Sequence, residues 1–136
     1  MKNVVVTGAV IGLRAALAKK YHAGDYHVIL LGRTLGKLEK IAKDFKNYAV
    51  YPLDVSSLKA VAATFEQIKE EVGTVNILVN NAGVGYFDLA ENLTLNHIDQ
   101  MIDTNLKGMI YCTQQVLGEM KTQNTGTLLN VIQQPV

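Results

Sequence analysis

The stretch that most constrains the fold is Asn3-Val4-Val5-Val6-Thr7-Gly8, an apolar run ending in glycine, with a second glycine at Gly12. A helical pattern begins directly after it. A buried parallel strand that passes through a tight turn into a helix has this form. The N-terminus of such a helix presents bare amide N–H groups and the positive end of its dipole, so it can hold a phosphate. The glycines let the backbone come close to the ligand. Where a third glycine is expected, the chain has Arg14.

The rest of the chain repeats this alternation. Apolar runs at His27-Val28-Ile29-Leu30-Leu31, Tyr48-Ala49-Val50-Tyr51, Asn76-Ile77-Leu78-Val79-Asn80 and Thr127-Leu128-Leu129-Asn130-Val131-Ile132 read as four more strands. Helical stripes separate them. The first is Leu13, Ala16, Leu17 and Tyr21; the second is Leu35, Leu38, Ile41, Ala42 and Phe45. The third is Leu58, Val61, Ala62, Phe65, Ile68 and Val72, capped by Ser56 or Ser57 and stopped at Gly73. The fourth, after Thr94 as cap, is Ile98, Met101, Ile102, Asn105, Met109, Cys112 and Val116. Alternating strands and helices predict an α/β fold, a parallel sheet with helices on both faces. Ligands of such sheets bind beyond the carboxyl ends of the strands, where the strand order reverses. The first loop, Gly32-Arg33, Asp54, Asn80-Asn81-Ala82-Gly83 and Ile132-Gln133 all fall at such ends.

Size and charge narrow the function classes. At 136 residues, with 49% hydrophobic residues, the chain reads as one domain with a real core. Thirteen basic against twelve acidic residues give no basic nucleic-acid surface. No apolar run reaches the ~20 residues of a membrane span, and no signal-peptide pattern opens the chain. A single cysteine, Cys112, fits a reducing compartment. The expectation is a soluble, cytoplasmic protein without nucleic-acid or membrane partners. His22 and His27 lack metal-ligand spacing, and no metal site is expected.

Several of these stretches together resemble the short-chain dehydrogenase/reductase family. They are Thr7-Gly8-x-x-x-Gly12, Leu53-Asp54-Val55, Asn80-Asn81-Ala82-Gly83, Asn105-Leu106-Lys107-Gly108 and Gly126-Thr127-Leu128-Leu129-Asn130-Val131. The resemblance runs in order along the whole chain. It implies a three-layer, doubly wound, Rossmann-like sheet, of which residues 1–136 supply five strands in the order 3-2-1-4-5. It also implies NAD(P)(H)-dependent oxidoreduction of a carbonyl or alcohol. Carried over by position, Gly8 and Gly12 border the pyrophosphate, Asp54 accepts from the adenine amino group and Val55 flanks the ring. Asn81, Ala82 and Gly83 line the adenosine ribose, and Asn105 matches the asparagine of the catalytic group. Arg33, just after the second strand, sits where a cation pairs with a 2′-phosphate, so NADP(H) is favoured over NAD(H).

The departures from the family pattern shape the functional expectation. Val10 and Ile11 replace small polar residues, and Arg14 stands at the third glycine as an obstruction. A retained NADP(H) site and a lost one both stay open at this point. The family's catalytic serine is expected near Gln133, its Tyr-x-x-x-Lys pair later, and neither is found. Without them no group exchanges the substrate's hydroxyl proton. Asn105 is then a vestige that kinks its helix. The reading is a single truncated NAD(P)-binding domain over 1–136, inactive alone. The alternatives are a non-catalytic dinucleotide-binding or protein-interaction module, or a fragment needing a partner chain. An apolar fifth-strand edge and the helix over 95–121 predict a homo-oligomer.

Overall fold

The apolar run that opens the chain is buried from both sides in the computed structural model, which describes residues 1–8, 17, 20, 21, 25–84 and 90–131. The strands are β1 (Lys2–Thr7), β2 (Tyr26–Gly32), β3 (Tyr48–Pro52), β4 (Ile77–Asn80) and β5 (Thr127–Asn130). All pairings are parallel, in the order β3-β2-β1-β4-β5. This is the doubly wound order expected. The chain builds outward from β1 to β3, then crosses over to β4 and β5, so the order reverses between β1 and β4.

Successive residues of a strand face opposite sides of the sheet, and here both sides are covered. Val4, Val6, Val28, Leu30 and Val79 pack with Leu38, Ile41 and Ala42 of α1 (Leu35–Ala42) and with Leu17 and Tyr21. Val5, Ile29, Leu31 and Leu78 pack with Val61, Phe65 and Ile68 of α2 (Leu58–Glu71). The same cluster takes in Cys112, Val116 and Met120 of α4 (Gly108–Gln123). Before α4 come a 3-10 turn at Ala90–Asn92, α3 (Leu95–Met101) and a π-helical segment, Ile102–Lys107. Ser57, not Ser56, caps α2, its side chain accepting from the Ala60 amide at 3.2 Å. Thr94 caps α3 through the His97 amide. Asn124, in the left-handed region at φ 55°, ends α4.

The apolar stripes differ from expectation in three places. Leu35 and Leu58, first residues of their helices, are exposed. Ala62 is exposed because it lies a quarter-turn from the face set by Val61, Phe65 and Ile68. The fourth stripe changes most. Ile98, Ile102 and Asn105 are exposed, and Thr104, Gly108, Cys112, Val116 and Met120 face inward. A π-helical turn is wider than an α-turn, so the residues before and within it fall out of phase with the inward face that Cys112 and Val116 set after it. The expected first-helix residues Leu13 and Ala16, together with Gly12, Arg14, Ile132 and Gln133, lie outside the described residues. Among the described residues, no helix is long and apolar enough to cross a membrane.

Candidate functional site

Parallel strands place all their carboxyl ends on one side. There the segments following β1, β2, β3 and β4 enclose a cleft of about 270 Å³. Six of the sequence-predicted residues line it: Gly8, Arg33, Val55, Asn81, Ala82 and Gly83. Asp54 stands beside it. Gly12 lies outside the described residues.

The floor is built by β1 gripping the loop after β4. Thr7 is buried, and its hydroxyl accepts from the amides of both Asn81 and Ala82 at 3.1 Å. Gly8 donates its own amide to the Leu31 carbonyl at 2.7 Å and has φ +88°. A Cβ there would lie 2.6 Å from the Ala82 Cα. The glycine therefore serves two needs: a left-handed backbone and room for the neighbouring loop. Asn80 fixes the same loop from below, donating to Thr113 of α4 at 3.2 Å and to Asn130 of β5 at 3.1 Å.

Asn105 closes the far side of this loop. Its Oδ1 accepts from the Val84 amide at 2.7 Å, and its Nδ2 donates to the Val84 carbonyl at 2.8 Å. The sequence reading put Asn105 on a buried apolar face. The π-helical segment instead gives the inward place to Thr104, and Asn105 turns toward Val84. Gly108 lets that segment lie close to Val55, since a Cβ there would meet Val55 Cγ2 at 2.6 Å.

The β2–α1 corner supplies the charge. Arg33, Thr34 and Lys37 line the cleft there, with Leu38, Leu53 and Val55 as an apolar wall. Arg33 Nη2 donates to Thr104 Oγ1 at 3.3 Å and lies 3.6 Å from Asp54 Oδ1. Asp54 Oδ1 also accepts from the Ser56 amide at 3.0 Å and the Ser56 hydroxyl at 2.7 Å. Burial raises the Asp54 pKa, but the Ser56 hydrogen bonds and the Arg33 charge outweigh it and hold the carboxyl below its usual value. Cys112 is core: burial pushes its thiol up to about 12. Among the described residues, no group of three or more His, Cys, Asp or Glu is arranged to hold a metal ion.

Lys37 and Thr104 are among the lining residues that escape the sequence reading. Lys37 could have been found, because it lies one helical turn beyond Arg33. Thr104 could not, because an unbroken α-helical phase turns it away from the sheet. The donor set suits an adenosine phosphate. Two cations and a hydroxyl flank one corner, a flat apolar wall adjoins it, and the floor is close-packed backbone.

Known proteins share this fold. The family model described as short chain dehydrogenase matches residues 2–134. An uncharacterized oxidoreductase of Staphylococcus haemolyticus is 33% identical over 93% of this chain and 56% of its own length. The solved structure of ElxO with NADP bound is 32% identical, with a TM-score of 0.81 over 95% of this chain and 54% of that one. An alcohol dehydrogenase from the archaeon Thermococcus sibiricus, complexed with 5-hydroxy-NADP, is 32% identical with a TM-score of 0.82, over 95% and 57%. The chain thus spans little more than half the length of these relatives.

Proposed function

The chain belongs to the short-chain dehydrogenase family, and on that footing we propose that its cleft holds NADP(H) in preference to NAD(H), for oxidoreduction of a carbonyl or alcohol. One observation carries the preference: Arg33 and Lys37 share the corner of the cleft beside the apolar wall of Leu38, Leu53 and Val55. A ribose 2′-phosphate is accommodated by such cations, whereas a free 2′-hydroxyl calls for a carboxylate. In this reading Val55 flanks the adenine ring and Asp54 accepts from its amino group. Asn81, Ala82 and Gly83 line the ribose, and Gly8 and Gly12 border the pyrophosphate. When bound there, the dinucleotide would supply or take the hydride. The protein's own residues bind it, orient it and exclude water. NADP and 5-hydroxy-NADP in the related structures support the assignment.

Neither serine nor tyrosine lines the cleft among the described residues. The 136 residues are therefore proposed to bind the dinucleotide without turning it over. Asn105 favours a second reading, a non-catalytic binding or interaction module or a piece that works with a partner chain. Both ends of its amide are used on Val84. The test is NADPH titration of the purified chain. The expected result is a raised melting temperature and changed NADPH fluorescence, with no oxidation on adding carbonyl compounds. Arg14→Gly is expected to tighten binding if that residue obstructs the loop. A flat response to both NADPH and NADH overturns the cofactor assignment.

Self-association is part of the proposal. Leu95, Ile98, Ile102, Leu106 and Ile110 are exposed along the helix over 95–121, and Leu128 and Leu129 are exposed on β5. Apolar surface of this extent favours a second copy as partner. A cytoplasmic setting belongs to the same reading.

A further inference from the structure

We infer that Thr104 is a positioning residue for Arg33 and thereby sets how strongly the cleft prefers a nucleotide carrying a 2′-phosphate. The inference rests on the proposed nucleotide site and adds a residue to it. Arg33 is a long side chain, 56% exposed, and an untethered arginine loses rotamer freedom whenever it grips a ligand. Two groups hold its Nη2. Asp54, 3.6 Å away, is a charge that competes with any phosphate, and Ser56 already donates to its Oδ1 twice. Thr104 is neutral, buried and 3.3 Å away. It holds the guanidinium without cancelling its charge.

Thr104 is itself fixed. Its π-helical segment is tied to the β4 loop by the two Asn105–Val84 hydrogen bonds. Gly108 brings the next turn against Val55. The tether thus joins a segment held by hydrogen bonds and close packing to an exposed cation, and both Thr104 and Arg33 line the same cleft. A hydroxyl on an α-helix of unbroken phase would not reach this place.

The probes are 2′,5′-ADP and 5′-AMP, which differ only in the 2′-phosphate, titrated into wild type, T104V, T104S, R33Q and R33Q/T104V. The readout is the ratio of the two dissociation constants, so a general loosening of the cleft cancels. T104V is expected to lower the wild-type preference for 2′,5′-ADP about five-fold, the effect of losing one weak charge-assisted hydrogen bond. T104S is expected to restore it. In R33Q the preference falls, and adding T104V changes it no further. An unchanged ratio in T104V overturns the inference, as does an equal drop in the R33Q background. T104A is read in the same way should T104V not fold. A wild type that binds both probes equally overturns the 2′-phosphate assignment itself, which separates that failure from a failure of Thr104 alone.

Discussion

Asn105 holds Val84 by both of its backbone polar groups, accepting from the amide at 2.7 Å and donating to the carbonyl at 2.8 Å. One side chain thus completes a loop that has no strand partner at that point. The grip also explains the helix geometry. The amide reaches Val84 from within the wide turn Ile102–Lys107.

Asn105→Ala is therefore expected to lower stability by about 1–2 kcal/mol, the net worth of two partly exposed hydrogen bonds. Asn105→Asp is expected to be worse. It keeps the acceptor for the Val84 amide but sets a carboxylate oxygen against the Val84 carbonyl. Urea denaturation of the three proteins checks the order. Equal stability of the alanine variant and wild type would show that the grip contributes nothing.

Gly8 is the second place where the loop after β4 depends on one residue. Alanine there must adopt φ near +88° and place its Cβ 2.6 Å from the Ala82 Cα. The backbone conformation and the clash together are expected to cost at least about 3 kcal/mol. The neighbouring Thr7 hydroxyl, which holds the Asn81 and Ala82 amides, would be pushed off its partners. Thermal unfolding followed by circular dichroism measures the loss, and NADPH should no longer raise the melting temperature.

Tyr51 links β3 to α2. Its hydroxyl donates to Glu71 Oε2 at 2.6 Å. Burial, then that hydrogen bond and the Glu71 charge, push the Tyr51 hydroxyl from 10.0 up to about 12. The folded pKa is raised, so the stabilisation is complete below the unfolded value and is lost as pH rises through the folded one. Between pH 10 and pH 12 wild type is expected to lose about 2 kcal/mol more than Tyr51→Phe. Parallel denaturation curves across that range would contradict the assignment.

Much of this was legible from the chain alone. Val4, Val5 and Val6 read as a strand buried on both faces, and such runs leave few other folds open. The corner at Arg33 was legible because charge after a strand end is a local pattern. Asn105 and Thr104 were not. Their places follow from a π-helical turn, which depends on the fit of Gly108 against Val55 and of Asn105 on Val84. Those are contacts across long sequence separations, and no helical periodicity encodes them. The surroundings of the Asp54 side chain were not legible as a whole: its tie to Ser56 is a local turn, but its contact with Arg33 spans two strands.

The exposed apolar face of the long helix gives the last prediction. Leu106 and Ile110 lie one turn apart on it, with 47% and 43% of their surface open to solvent. Neither belongs to the core clusters on the sheet, so a charge at either position leaves the fold intact. If copies of the chain associate through this face, Leu106→Glu with Ile110→Glu places four carboxylates in a two-fold interface and abolishes it. Light scattering at micromolar concentration should then show wild type above the monomer mass and the double variant at it. The β5 edge is the competing route, because Leu128 and Leu129 are exposed on this outer strand. Leu129→Lys tests it, since a charged side chain on an edge strand discourages further pairing. Dissociation by the lysine variant and not by the helix variant would move the interface to the sheet edge. A monomeric wild type would remove both.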